Sequence, residues 1–438
     1  MNHPTFAGKA RTLRASRRVA LAAALAAAPA AHAATDVVVW HTLAGAHRQE
    51  FEALAKDFNK EQKDVRVVLK AFADQDALRA EAAKAGKSQR PHLVQLSDNH
   101  SPEVIAEHDA ILPMHRLLAA HPIKDLAWFL PQTTSFVRDA KGQLLAFPFM
   151  AEVPVMFYNL DAFKKAGLDP KRPARTWVAL QTDLIQLRAA GYACPYATSQ
   201  EVAVHFENLA AVNKKPYSTN DNGFGKGAPA LRFDSLYMRH LSMMVTWKRS
   251  LLLAAHTPDN GADARFAKGE CAVLTSGTGA LGTFLQAKGL SFGVAPLPYY
   301  EQVSREAGQP FVSGSALWAL AGHGKDEDKA TAAFLAFLAK PVVAARWHQR
   351  TGFLPLTQAA FAASDVSFYQ RIPGAHSVIA AMRTSPGETS RGFRLPNYPR
   401  VASLLATGFD AALEGGAPPM QVLNQISDQS KAIMQQRR

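Results

Sequence analysis

Cysteine is almost missing: two residues, Cys194 and Cys271, in a chain of 438. A disulfide-stapled scaffold and a Cys-built metal knuckle are therefore excluded. The two thiols either pair, in an oxidising compartment, as neighbours at the starts of two strands, or stay buried and inert. Long apolar runs are scarce as well. Beyond the first 33 residues no stretch reaches the ~18 uninterrupted apolar residues of a membrane span, so the mature chain is expected to be soluble. There is no run of five like charges and no arginine-aromatic stripe, which excludes a nucleic-acid tract although the net charge is +13. The spacings H-E-x-x-H, G-x-S-x-G and the P-loop do not occur. The 15 histidines are scattered singly and read as surface or packing residues rather than metal ligands. The carboxylate pairs Glu201/Glu207 and Asp326/Asp328 read as solvated helix faces. No cofactor and no metal are expected, and an enzyme is expected only without a recognisable signature.

What is present begins with a leader. Lys9, Arg11, Arg14, Arg17 and Arg18 precede an apolar run from Val19 to Ala31 that closes on Ala31-His32-Ala33. This is the pattern of a secretory signal peptide cleaved after Ala33. No cysteine stands there to take a lipid, so a free periplasmic protein is expected, with Arg17-Arg18 leaving a twin-arginine route open. The other cations are interleaved with Asp and Glu, which leaves only a mild attraction for anions.

After the leader, strands and helices alternate. "DVVVW" (36–40), "VRVVLKAF" (65–72) and "HLVQL" (92–96) are short β-branched or apolar runs. Between them lie helical patterns over Arg48 to Phe58 and Asp76 to Ala85, and another helix opens at Ser101-Pro102. Such a βαβαβα series predicts a parallel sheet covered by helices, with ligands at the carboxyl ends of the strands. Those ends are "HTLAGA" (41–46), "FADQD" (72–76) and "SDNH" (97–100). A turn at Lys141-Gly142 leads into an extended segment and the strand "VPVMFYN" (153–159). Thr176 caps a helix that runs to Gly191. A second alternating series follows through "CPYAT", "CAVLTS" (271–276), "FGVAPLP" (292–298) and "ALWALA" (316–321). Two α/β lobes joined by crossing strands are the reading. "GTGALG" places Gly277, Gly279 and Gly282 in dinucleotide spacing after a strand, but far from a domain start. It is either a tight turn or a backbone cradle for an anion or hydroxyl.

Several stretches carry a resemblance. "FYNLDAFKKAGLDPKRPARTW", "VWHTLAGAHRQEFEALAKDFN", "LLAFPFM", "KGECAVLTSG", "GSALW", "FLAFLAKP", "WHQRTGFLPLT" and "GFRLPNYP" together resemble the carbohydrate-type solute-binding proteins of ABC importers, in particular their glycerol-3-phosphate-binding branch. The resemblance implies a type II periplasmic binding fold: two α/β lobes, each a mainly parallel sheet flanked by helices. It places 34–150 and 290–325 in the N-terminal lobe, and 151–289 and 326–438 in the C-terminal lobe. It implies a monomer that closes on a small solute and presents it to an inner-membrane permease.

The resemblance also implies a site. Asp98 stands where the family accepts glycerol hydroxyls, and Gly314 where a backbone N–H faces phosphate. Phe353 replaces a tyrosine, and Glu152 and Gly277 replace phosphate-binding serines, Gly277 with Thr278 beside it. Gln75 lies near a family tyrosine, while Gln200 and Ala203 stand at a tryptophan pair. The phosphate arginine aligns with Ala402, leaving Arg394 or Arg400 to reach the cleft. A carboxylate about 4 Å from a phosphate dianion costs several kcal/mol at an effective dielectric near 20. Unless Glu152 turns away or pairs with Arg394 or Arg400, the usual pose for glycerol 3-phosphate is closed. The expected solute is thus sn-glycerol 3-phosphate or a glycerophosphodiester, of which a diester with a cationic head group suits Glu152 better, with a neutral sugar or other polyol as the alternative. A periplasmic glycerophosphodiester hydrolase is the enzymatic alternative.

Overall fold

The computed structural model describes Met1 and residues 34–86, 89–98, 110–130, 137–139, 141–257, 260–384 and 387–436. The leader, the end of "SDNH" and the helix start at Ser101-Pro102 lie outside the described residues. Nine strands are formed among these residues: β1 (Thr35–His41), β2 (Val65–Ala71), β3 (Leu93–Ser97), β4 (Phe147–Glu152), β5 (Pro154–Asn159), β6 (Cys194–Thr198), β7 (Cys271–Gly277), β8 (Phe292–Pro296) and β9 (Ser313–Ala319). They build two sheets, ordered β2-β1-β3-β9-β4 and β6-β7-β5-β8.

Both sheets are mixed, where the alternation predicts mainly parallel ones. β2, β1 and β3 run parallel, as do β6 and β7. The remaining pairings are antiparallel because β5 and β9 enter their sheets from the other lobe instead of through a local βα crossover. Only Val153 separates β4 from β5, so the chain steps from one sheet to the other within a single buried residue. It returns between β8 and β9, and crosses again at Phe353-Leu354, where the Leu354 N–H donates to Ala151 O at 2.7 Å.

Two boundaries differ from the expected division. β8 pairs with β5 and so belongs to the second sheet. The helices Lys325–Ala339 and Pro341–Thr351 pack on the first core through Phe334, Leu335, Leu338 and Trp347. Following β9 after a short connection, they fold back on the sheet they leave, as short connections do. The second core gathers Trp177, Tyr196 and Trp247, and the C-terminal helices Tyr398–Leu413 and Pro419–Gln435 close it.

Local signals act where the sequence places them. Thr176 Oγ1 accepts the Ala179 N–H at 3.1 Å and caps the helix Trp177–Ala189. Asn159 Oδ1 accepts the N–H groups of Asp161 and Ala162 and opens the short helix Leu160–Lys165. The parallel register sets Cys194 opposite Cys271, and the two form a disulfide with Cα atoms 4.6 Å apart.

This bridge closes a long loop, between residues 77 apart in sequence. Replacing both cysteines by alanine is expected to cost about 3–5 kcal/mol of unfolding free energy in the chain-entropy account. Urea unfolding of the oxidised and Cys194→Ala/Cys271→Ala proteins measures it; equal midpoints would contradict the assignment.

Candidate ligand-binding site

The carboxyl ends of β1, β3, β6 and β7 open onto one cleft of about 1130 Å³ between the sheets. The first lobe lines it with the loop Thr42–His47, with Arg79, and with Ser97 and Asp98 beyond β3. The second lobe contributes Gln200, Ala203, Glu207, Asp263 and Gly279, with Arg400 and Ala402 from the helix Tyr398–Leu413. Glu152, Gly314 and Phe353 come from the crossing segments.

Of the residues singled out from sequence, the cleft brings together Asp98, Glu152, Gly314, Phe353 and Arg400. The Asp98 N–H donates to Gly314 O at 2.8 Å, so the glycine's carbonyl orients the acid. Gly314 has φ 105°, and a Cβ there would lie 2.2 Å from Met150 O, which reserves the position for glycine. Phe353 is buried and stacks between Trp347 and His47, at centroid distances of 5.7 and 4.7 Å.

Four others stand off the cleft wall. Gln75 lies behind it, donating to Thr42 Oγ1 at 2.7 Å and accepting the Ser97 N–H at 3.3 Å, and so ties two cleft loops together. Thr278 is buried, and its N–H donates to Val153 O at 2.9 Å, fastening the turn after β7 to the crossing. Gly277 sits beneath Glu152. Arg394 is turned elsewhere: it donates to Arg138 O and lies over Phe224.

Glu152 pairs with neither Arg394 nor Arg400. Its Oε2 accepts the Gly279 N–H at 3.0 Å and its Oε1 accepts the Gln200 side-chain amide at 3.2 Å. Burial holds its pKa above the ordinary carboxylate value, while these two donors oppose the shift. The backbone cradle after β7 is thus filled by the protein's own carboxylate. A Cβ on Gly277 would lie 2.3 Å from Glu152 Oε2 and one on Gly279 2.7 Å, so the cradle closes around that side chain.

Three cleft residues escape the sequence reading. His47 Nε2 donates to Gly279 O at 2.8 Å, a bond between lobes. Asp263 is 7% exposed, with its pKa raised by burial to about 6. Glu207 is no solvated-face residue: it is 4% exposed and ends a π-helical turn, Ala203–Glu207, that puts Ala203 and Glu207 on the cleft. Such turns concentrate at functional sites. On the same turn His205 faces inward, hydrogen-bonded to His240 at 2.8 Å and stacked on Phe409. Burial, and then the charge of Asp98 facing it, raise the Glu207 pKa to about 8, although Tyr398 Oη donates to it at 2.5 Å. No local pattern marks these three: the π-turn places Glu207, the helix Gly261–Ala267 places Asp263 and the start of the helix Gly45–Glu61 places His47.

The family model described as bacterial extracellular solute-binding protein matches residues 53–373. This chain belongs to that family. A relative is the sn-glycerol-3-phosphate-binding periplasmic protein UgpB of Pectobacterium atrosepticum, 32% identical over 412 residues, 92% of each chain. The protein of that name from Escherichia coli O1:K1 is 31% identical over 422 residues, 95% of this chain and 96% of its own. Among solved structures, UgpB from Mycobacterium tuberculosis in complex with glycerophosphocholine superposes with TM-score 0.74 at 18% identity, covering 91% of this chain and 98% of that one. Maltose-bound MalE3 of T. maritima superposes with TM-score 0.73 at 16% identity, covering 91% and 100%. These likenesses confirm the two-lobed fold. The chain is the solute-binding component of an ABC importer, which binds a small molecule for delivery to a membrane permease. Members of this extracellular solute-binding family are binding proteins.

Two expectations follow. Folding raises the Glu207 pKa from 4.5 to about 8, so its contribution is complete below about pH 4.5 and is lost as pH rises through 8. The loss amounts to up to about 1.4 kcal/mol per pH unit. Glu207→Gln should flatten this fall between pH 5 and 8.5 in chemical unfolding. The buried histidines act in the opposite sense at lower pH and are common to both proteins. Parallel profiles for the two would refute a protonated Glu207. Gly277→Ser should destabilise by about 1–3 kcal/mol through its clash with Glu152, and far less in a Glu152→Ser background. An additive double-mutant cycle would contradict the shared space.

Proposed function

We propose that this solute-binding protein works in the periplasm as a monomer and captures a glycerophosphodiester that carries a cationic head group. It releases that ligand unreacted to its permease. The observation that carries the reading is Glu152 seated on the Gly279 N–H. A phosphate monoester, close to a dianion at neutral pH, meets a carboxylate where it needs the cradle. At about 4 Å and an effective dielectric near 20 each charge pair is worth on the order of 4 kcal/mol.

The remaining wall has the same sign. Asp98, Glu152, Glu207 and Asp263 line the cleft against the guanidinium groups of Arg79 and Arg400. A phosphodiester keeps only one negative charge, suited to those arginines, and a cationic head reverses the sign of its contact with the acids. Asp98, held by Gly314, is placed to accept glycerol hydroxyls. The glycerol phosphate unit is common to the ligands named for the relatives and for the M. tuberculosis complex. The resemblance implies larger side chains in the family where Gln200 and Ala203 stand here, which leaves the cleft room for a second alcohol.

Isothermal titration calorimetry should give a diester affinity at least ~10-fold above that for glycerol 3-phosphate, and Glu152→Ser should raise glycerol 3-phosphate affinity by ~10-fold or more. Ligand recovered from the mixture should be intact by mass spectrometry. Tighter binding of glycerol 3-phosphate than of any diester by the unmutated protein overturns the reading, and released product would move it to the hydrolase alternative.

A further inference from the structure

The pairing of β6 with β7 sets Thr198 opposite Thr275. Both threonines face the core, where Thr275 bonds Tyr196 and Thr198 bonds His205. One residue further along, the strand alternation turns Ser199 and Ser276 to the opposite face. The helix Gly261–Ala267 packs there and brings Asp263 beside them, on the cleft wall.

The three residues are 2%, 0% and 7% exposed respectively. The serine hydroxyls stand close enough to ease ionisation of the Asp263 carboxyl. Even so, Asp263 Oδ1, Ser199 Oγ and Ser276 Oγ are buried without a well-formed hydrogen bond to any described residue. Asp263 stands on the cleft wall with the two serines behind it, and buried polar atoms are almost always paired, so its carboxyl oxygen without a well-formed bond points to a partner that arrives with the ligand. Glu152 lies near enough to act on Asp263 electrostatically, so two carboxyl groups flank this corner.

We propose that Asp263, backed by Ser199 and Ser276 and flanked by Glu152, is the subsite for the cationic end of the ligand, and that it selects a primary ammonium over a quaternary one. The inference rests on the diester reading and adds the head-group class. A primary ammonium has three N–H donors for carboxylate and hydroxyl acceptors. A quaternary ammonium has none and is recognised by aromatic faces. Among the described residues the aromatic rings on this cleft wall are Phe353 and His47, which pack on each other with Phe353 also stacked on Trp347, so the corner around Asp263 offers acceptors rather than an aromatic cage.

Calorimetry with three diesters of glycerol phosphate, bearing ethanolamine, choline or a second glycerol, tests the proposal. The unmutated protein should bind the ethanolamine diester about tenfold or more tighter than the choline diester. Asp263→Asn should remove most of that preference, weakening the ethanolamine diester several-fold more than the diester whose head is a second, uncharged glycerol. Equal binding of the ethanolamine and choline diesters, a choline preference, or an equal loss for all three in Asp263→Asn overturns this inference and leaves the diester reading standing. Binding of none of them overturns both. Should Asp263→Asn not fold, the ranking in the unmutated protein decides.

Discussion

One contact governs this cleft: the Glu152 carboxylate on the Gly279 N–H. It joins the end of β4, in the first sheet, to the turn after β7, in the second, one residue before the chain crosses over. It also fixes the sign of the charge at the centre of the cleft. The two replacements that looked independent in the sequence, glutamate at 152 and glycine at 277, share one cause. The carboxylate occupies the space a Gly277 side chain would need, 2.3 Å from its Cβ position. A side chain at 277 and the Glu152 carboxyl would compete for one volume, so in this chain the cradle is filled from within.

Around that contact the fold is arranged for closure. Val153, the β8–β9 return and Phe353-Leu354 are the crossings, and the Leu354 to Ala151 hydrogen bond holds two of them side by side. Hinge closure about a few such residues is the movement of periplasmic binding proteins, a case given as an example of domain closure in general accounts. His47 reaches across to Gly279 O, so the turn that donates to Glu152 is also tied to the first lobe through His47. Behind the second wall the His205–His240 pair and the Tyr217–Tyr398–Glu207 chain of hydroxyls lock the π-turn into the core. Glu207 is thus held in place from behind by hydrogen bonds, and a group fixed in advance lowers the ordering cost of capture.

The fold was readable because its signals are local. "DVVVW", "VRVVLKAF" and "CPYAT" are strands where their β-branched and apolar residues put them, and Thr176 caps the helix that follows. Sheet membership was less readable: whether 292–296 joins one sheet or the other depends on pairing with β5, which no local pattern encodes. Within the cleft the same division holds. Asp98, Glu152, Gly314 and Phe353 meet because aligned segments lie at strand ends and crossings. Glu207 reads as a solvated acid in sequence and Asp263 draws no reading there, since their burial comes from a π-turn and from a helix laid over β6 and β7. Arg394 looked available to a phosphate, but its backbone bond to Asn222 O and its place over Phe224 turn it away.

The chain as a whole is basic, yet its cleft is acidic, and the two facts act at different ranges. The diffuse surface excess is screened beyond about 10 Å in ordinary salt, so it guides an anionic solute only weakly toward the mouth. Inside, where water is displaced, the carboxyl groups of Asp98, Glu152, Glu207 and Asp263 act at short range and in a lower dielectric. Burial first, and then neighbouring carboxyl charges, raise the pKa of Glu207 to about 8 and of Asp263 to about 6. At neutral pH Glu207 therefore keeps its proton and serves as a hydrogen-bonding group, while Asp98 and Asp263 supply the negative field beside the Glu152 carboxyl held by Gly279. A zwitterionic diester, with its single phosphate charge toward Arg79 or Arg400 and its cation toward Asp263, satisfies that division of charge; a phosphate monoester satisfies only the arginines.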